Sequence, residues 1–146
     1  MATYNQVIDT FRDLSTRHKQ INTFFSGEEY DFQSASNIYP ALLLSPDVSS
    51  VSQGSIMLKF NMYVIDILNR DRLNNDDIKS DTLQIGLDII SVLYDNSTVY
   101  GFTIEDETSI TPLNEEMDDI ISGWVFSINV QIQYAMSDCY LPINNQ

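Results

Sequence analysis

The segment 124–134 alternates more strictly than any other in the chain, and this alternation most limits the fold. Trp124, Phe126, Ile128, Val130, Ile132 and Tyr134 fall on one parity, and Ser127, Asn129, Gln131 and Gln133 on the other. Successive side chains of a strand point to opposite faces, so this period of two requires a sheet with one apolar and one polar side. An antiparallel sheet with one wet face meets that requirement; a parallel sheet buried on both faces does not. Residues 55–68 repeat the pattern, with Ile56, Leu58, Phe60, Met62 and Val64 opposite Met57, Lys59, Asn61, Tyr63 and Ile65. This second strand is long against the usual 5–6 residues, and its end is expected to project beyond the sheet. Two shorter apolar runs, 38–44 and 98–104, are read as strands; Pro40 suits a strand start or an edge, where no ladder donor is lost.

Between these runs the periodicity becomes helical. Val7, Ile8, Phe11, Leu14 and Ile21 make one apolar stripe while Asp9, Arg12, Asp13 and Arg17 face away, which predicts a helix over 3–21 with Thr3 as its N-cap. The segment Phe24-Phe25-Ser26-Gly27 breaks that helix, and an irregular stretch follows to about Asn37. Residues 45–54 read as a serine-rich loop and 69–79 as a polar connection. Ser80-Asp81 then caps a second helix, 82–94, with Leu83, Leu87, Ile90 and Tyr94 on one face and Ile85, Ile89, Val92 and Leu93 widening it. Residues 112–121 read as an acidic connector. The order helix, strand, strand, helix, strand, strand gives an α+β fold: a four-stranded antiparallel sheet with two helices packed on one face. At 146 residues the chain has the size of one domain, expected over 1–143, with 144–146 as a flexible tail.

Charge narrows the function. Seven Lys and Arg stand against 21 Asp and Glu, a formal net charge of −14. Binding nucleic acid or an anionic membrane needs clustered cations, whereas here Arg12, Arg17 and Lys19, then Lys59, Arg70, Arg72 and Lys79, are all there is. The first residues, MATYNQVIDTFRDL, lack the basic and apolar regions of a signal peptide, and no apolar run approaches the ~20 residues of a membrane span. A soluble protein that stays where it is made is expected. The single cysteine, Cys139, excludes an internal disulfide and any multi-cysteine metal site.

No pattern of catalytic residues emerges. Asp76, Asp77 and Asp81, beside Asn74 and Asn75, lack the spacing of a calcium loop and are read as a solvated loop leading into a helix cap. The acidic runs 105–107 and 115–119 could form a two-metal site, but no basic patch accompanies them to attract a phosphate. His18, the only histidine, has no nucleophile or orienting partner in sequence and reads as a helix-end residue. Cys139 reads as a small packing residue, and the five glycines form no phosphate loop. No catalytic, cofactor-binding or metal-binding residues are assigned, and the chain is expected not to be an enzyme. Surfaces remain. Phe24, Phe25, Tyr30 and Phe32, with Tyr140, Leu141 and Pro142, either fold back as a lid or dock on a neighbour as a subunit interface.

The run Asn37-Ile38-Tyr39-Pro40-Ala41, the long strand 54–67, Ser80-Asp81 opening a helix, and Asp119-Ile120-Ile121-Ser122-Gly123-Trp124 before an alternating strand resemble structural proteins of tailed bacteriophages. The layout is similar to tail-terminator and tail-completion proteins, including those of crAss-like gut phages, and the likeness runs from Val7 to Pro142. It implies a virion structural protein made in the cytoplasm of a bacterial host. Such a protein is a homo-oligomeric ring, commonly of six or twelve copies, in the head-tail connector (neck). The ring touches portal, adaptor or tail-tube ring proteins, and genomic DNA passes through it without specific binding. An acidic channel surface would then include Glu105, Asp106, Glu107, Glu115, Glu116, Asp118 and Asp119. The alternative expectation is a soluble acidic assembly factor or chaperone that binds a basic partner and is absent from the mature particle.

Overall fold

The computed structural model describes residues 2–28, 38–68, 73–116 and 120–134. The chain begins with α1 (Tyr4–Arg17), whose Thr3 cap is as expected. The Thr3 hydroxyl accepts from the Gln6 amide, and the Gln6 side chain accepts from the Thr3 amide, so two otherwise orphaned donors are satisfied reciprocally. Seven strands follow in one mixed sheet: β1 (Thr23–Ser26), β2 (Ala41–Pro46), β3 (Ser50–Ser52), β4 (Ser55–Ile67), β5 (Thr103–Ile104), β6 (Ser109–Glu116) and β7 (Ile120–Gln133). Between β4 and β5 run α2 (Asn75–Asp95) and the single turn α3 (Ser97–Tyr100). The strand order is β1-β2-β4-β7-β5, with β3 added to β4 on the β2 side and β6 pairing β7. The pairs are antiparallel except β1 with β2, which is parallel.

A seven-stranded mixed sheet replaces the expected four-stranded antiparallel one. The parallel strand β1 lies where a break was read, because Phe24 and Phe25 face opposite sides and give no one-sided pattern. The three residues of β3 lie in the serine-rich loop, and the eight-residue β6 runs from Ser109 into the acidic connector. The expected strand 98–104 is instead α3 followed by the two residues of β5. Helix α2 begins at Asn75, seven residues before the expected start. Of its first seven residues only Ile78 is fully buried, so the opening turns carry little apolar signal.

The two long strands form the spine. β4 pairs with β7 over its whole length, from Ser55 opposite Gln133 to Ile67 opposite Ile121. This register sets Phe60 beside Ile128, Met62 beside Phe126 and Val64 beside Trp124, as the alternation requires. Val7, Ile8, Phe11 and Leu14 of α1 and Ile85, Ile89, Ile90 and Leu93 of α2 close over this face, joined by Leu42, Leu44, Val130 and Ile132. Both helices therefore cover the same side. Each fully buried side chain of this kind contributes roughly 1.5–3 kcal/mol. Two glycines allow close approach: a Cβ on Gly86 would lie 2.1 Å from the Phe126 ring, and one on Gly123 would lie 2.0 Å from the Val64 carbonyl oxygen.

The opposite face is not uniformly wet. At one end Ala41, Leu43, Ile65, Leu113 and Ile121 form a second buried cluster, with Phe25, Tyr39, Tyr63 and Val125 packed against it. At the other end the face is polar. Asn61 donates to the Asp47 carboxylate (3.0 Å), the Ser127 hydroxyl contacts the Asn61 side-chain oxygen (3.2 Å), and Asn129 donates to Glu105 (3.0 Å). A single strand thus presents apolar and polar halves to one side, a change that uniform alternation does not disclose.

Candidate functional site

The most distinctive feature of the surface is how it sorts charge. On α1 the charges neutralise one another: Arg12 pairs with Asp9 (2.6 Å) and Arg17 with Asp13 (3.0 Å), all well exposed. Such exposed pairs contribute little to stability, but they leave this helix nearly neutral in outlook. Helix α2 does the reverse. Asp76, Asp77, Asp81 and Asp95 are exposed and Asp88 half-exposed, while the helix's one cation, Lys79, turns inward. Its Nζ donates to the carbonyl oxygens of Leu113 (2.8 Å) and Gly123 (3.0 Å) and lies 5.6 Å from the Trp124 ring centroid. The Trp124 indole N–H in turn donates to the Lys79 carbonyl (2.8 Å). Burial pushes the Lys79 ammonium below its ordinary value. The charged groups left on the outer surface of this helix, about 30 Å long, are thereby all carboxylates.

A second acidic element adjoins the end of α2. Glu105, Asp106 and Glu107 are exposed on the β5–β6 connection. Tyr94, on the last turn of α2, donates its hydroxyl to the carbonyl oxygens of Glu105 (2.9 Å) and Asp106 (2.7 Å). The Glu105 amide donates to the Asn129 carbonyl (3.0 Å), and its carboxylate accepts from the Asn129 side chain. The acidic loop is fixed between helix and sheet. Of the other expected acidic residues, Glu115 and Glu116 lie on β6, and Asp118 and Asp119 lie outside the described residues.

Of the expected interface residues only Phe24 and Phe25 lie among the described residues, and these two do not share a patch. Phe24 packs on the main core beneath Arg12, whose guanidinium carbon is 5.5 Å from its ring centroid, and Phe25 packs on the opposite cluster. Both are half-buried. Tyr30, Phe32, Tyr140, Leu141 and Pro142 lie outside the described residues, as does Cys139.

His18 gains a partner that the sequence does not reveal. As the C-cap of α1, it places Nε2 3.0 Å from the Asp88 carboxylate of α2, while Gln84 donates to the other Asp88 oxygen (2.9 Å). Its Nδ1 accepts from the Gln20 amide (3.2 Å), which assigns the proton to Nε2 and commits both ring nitrogens. The hydrogen bond from His18 holds the Asp88 carboxyl below its ordinary value. A cavity of about 200 Å³ beside this pair is lined by Leu14, Arg17, His18, Asp88, Ile89 and Val92. The pair ties the end of α1 to α2. Asp76, Asp77 and Asp81 belong to α2, not to the loop expected from sequence, and acidic residues in a first turn favour the helix dipole. Among the described residues, no three His, Cys, Asp or Glu side chains come together as a metal-binding group. Among them, too, no helix is long and apolar enough to cross a membrane.

Sequence reading missed Lys79, Tyr94 and the His18–Asp88 tie. For Lys79 the signal was present: a helix starting at Asn75 sets residue 79 beside Ile78, Thr82, Ile85 and Gly86 on the inner stripe. No protein-family model and no curated protein matches the chain.

Proposed function

We propose that this chain is a structural subunit of a ring in the head-tail connector or tail-terminator region of a tailed bacteriophage virion, joining portal to tail around the DNA channel, and that it is not an enzyme. The outward sorting of carboxylates on α2 and the clamped loop at Glu105–Glu107 carries this reading. A channel wall must let a polyanion slide without adhering, and fixed surface carboxylates with the neighbouring cation withdrawn repel phosphate at every position. Quantitative mass spectrometry of density-gradient-purified particles tests this assignment: a copy number near six or twelve per portal ring is expected. Absence from particles, with the chain abundant in the soluble fraction, would overturn it.

The inward turn of Lys79 also favours a second reading, a soluble acidic assembly factor that binds a basic partner on α2. Salt distinguishes the two. Attraction to a basic partner weakens as salt screens it, whereas association of like-charged copies strengthens.

A further inference from the structure

Helices α1 and α2 cover the same side of the sheet, yet beside His18 they do not close on one another. The cavity of about 200 Å³ lies there, walled by Leu14 of α1 and by Ile89 and Val92 of α2. The contact from His18 Nε2 to Asp88 spans it, and among the described residues no other hydrogen bond or ion pair joins the two helices. The same ring holds the chain where it leaves α1. His18 Nδ1 accepts from the Gln20 amide (3.2 Å), and the Ile21 amide donates to the His18 carbonyl (3.3 Å). This turn feeds β1, the edge strand of the sheet. Just before β1, the Asn22 amide donates to the Pro40 carbonyl (2.8 Å) and its side chain to the Tyr39 carbonyl (2.9 Å). One imidazole thus serves two elements with opposite demands, as donor to α2 and as acceptor from the turn.

Only a neutral imidazole can meet both demands, because it has one N–H and one lone pair, whereas the imidazolium has two N–H groups. Protonation makes the Nε2 contact a charge-assisted bond, the stronger kind. It also sets a new N–H at Nδ1 against the Gln20 N–H, and donor then faces donor. Asp88 is able to meet the cation, since the hydrogen bond from His18 holds its carboxyl below the ordinary value. The other charges around the ring do not replace it. On α1, Arg17 is engaged by Asp13 (3.0 Å), and on the turn Lys19 is exposed. On α2, Asp81 and Asp95 stand about two turns to either side of Asp88, and β1 has no ionisable side chain.

We propose that His18 is a proton-operated switch: the neutral ring holds both α2 and the 18–21 turn, and the protonated ring holds α2 alone and releases the turn. Histidine is the side chain whose ordinary charge change falls between pH 5 and 8, so mild acid is the trigger. Because β1 is entered through that turn, acid loosens one edge of the sheet while both helices stay seated. The switch goes beyond the ring reading and does not depend on it.

Nuclear magnetic resonance of the isotope-labelled full chain, titrated from about pH 8 to about pH 5, tests the switch. His18 is the only histidine, so its ring signals are unambiguous. At the alkaline end the ring should carry its proton on Nε2. On acidification it should become the imidazolium, and the Gln20 amide resonance should move with the same midpoint. Exchange of that amide, relative to its intrinsic rate, should rise about two- to tenfold, the loss of one hydrogen bond, while α1 and α2 amides keep their protection. His18→Gln retains a donor for Asp88 without a titrating group, and there the Gln20 response should vanish. A neutral ring protonated on Nδ1, a ring that stays neutral throughout, or a Gln20 amide that does not follow the ring would overturn the proposal. So would an equal response in His18→Gln, or a loss of protection shared by all of α1.

Discussion

Gly86→Ala should destabilise the protein although it places a better helix former in the middle of α2. Glycine inside a helix costs about 1 kcal/mol relative to alanine, so propensity alone gives the substitution a gain of that size. The structure opposes it. The new methyl carbon would meet three ring atoms of Phe126 at 2.1, 2.3 and 2.9 Å. Ordinary carbon contacts lie near 3.5–4.0 Å, so ring and helix must separate by roughly 1.5 Å. Phe126 cannot yield easily, because it is fully buried on the central strand β7 between Met62 of β4 and Ile110 of β6. Overpacking of this kind costs roughly 1–3 kcal/mol or somewhat more, leaving a net loss of about 2 kcal/mol at the upper end of that range. Urea denaturation followed by the fluorescence of Trp124, the only tryptophan, measures it. In a Phe126→Leu background the same Gly86→Ala change should turn neutral or stabilising, a coupling of about 2–3 kcal/mol between the two sites. A Gly86→Ala protein as stable as wild type, with no coupling to position 126, would refute the close seating of α2 on β7.

Two further outcomes are expected. Gly123→Ala drives a methyl group into the Val64 carbonyl oxygen, a backbone atom with no rotamer to change, and should cost about 3 kcal/mol or more in the same denaturation assay. Asp66 is half-buried; burial, with the nearby Asp81 adding to it, raises its carboxyl above the ordinary value despite the Ile67 amide that donates to it. A carboxyl raised in the folded state favours folding in its protonated form, so its contribution is present below the unfolded value and lost as pH rises through the folded one. Asp66→Asn should therefore stabilise the protein at neutral pH and lose that advantage in acid. Thermal melts at pH 7 and pH 3 measure this, and an advantage that grows in acid would contradict it.

What could be read from sequence follows from which residues report their surroundings. The strands β4 and β7 were legible because both pack one whole side against the helices, so Phe60, Met62, Phe126 and Ile128 fall into a strict period of two. The cap of α1 was legible because Thr3 and Gln6 satisfy the first turn locally. β1 was not, since Phe24 and Phe25 are buried against different clusters and a strand with two apolar sides looks like a break. β6 was hidden by its acidic residues and by Pro112, which an edge strand tolerates because the missing donor can point outward. The acidic loop could be located from sequence. Its fixing by Tyr94 could not, because the hydroxyl acts on backbone carbonyls 11 and 12 residues away, whose own side chains play no part.

The β4–β7 ladder has a consequence for synthesis. It joins residues that lie from 54 positions apart, Ile67 with Ile121, to 78, Ser55 with Gln133. Loops that large must close before their contacts return any stabilisation, which places the fold among the slower ones. Because β7 is the central strand yet comes last among the described elements, a nascent chain that has emerged only as far as α2 leaves β4 unpaired along one entire edge. Phe60, Met62 and Val64 then have no β7 beside them, and the strand can be captured by another chain. Emergence of β7 from the ribosome, and not formation of the helices, therefore sets the moment at which the core can close.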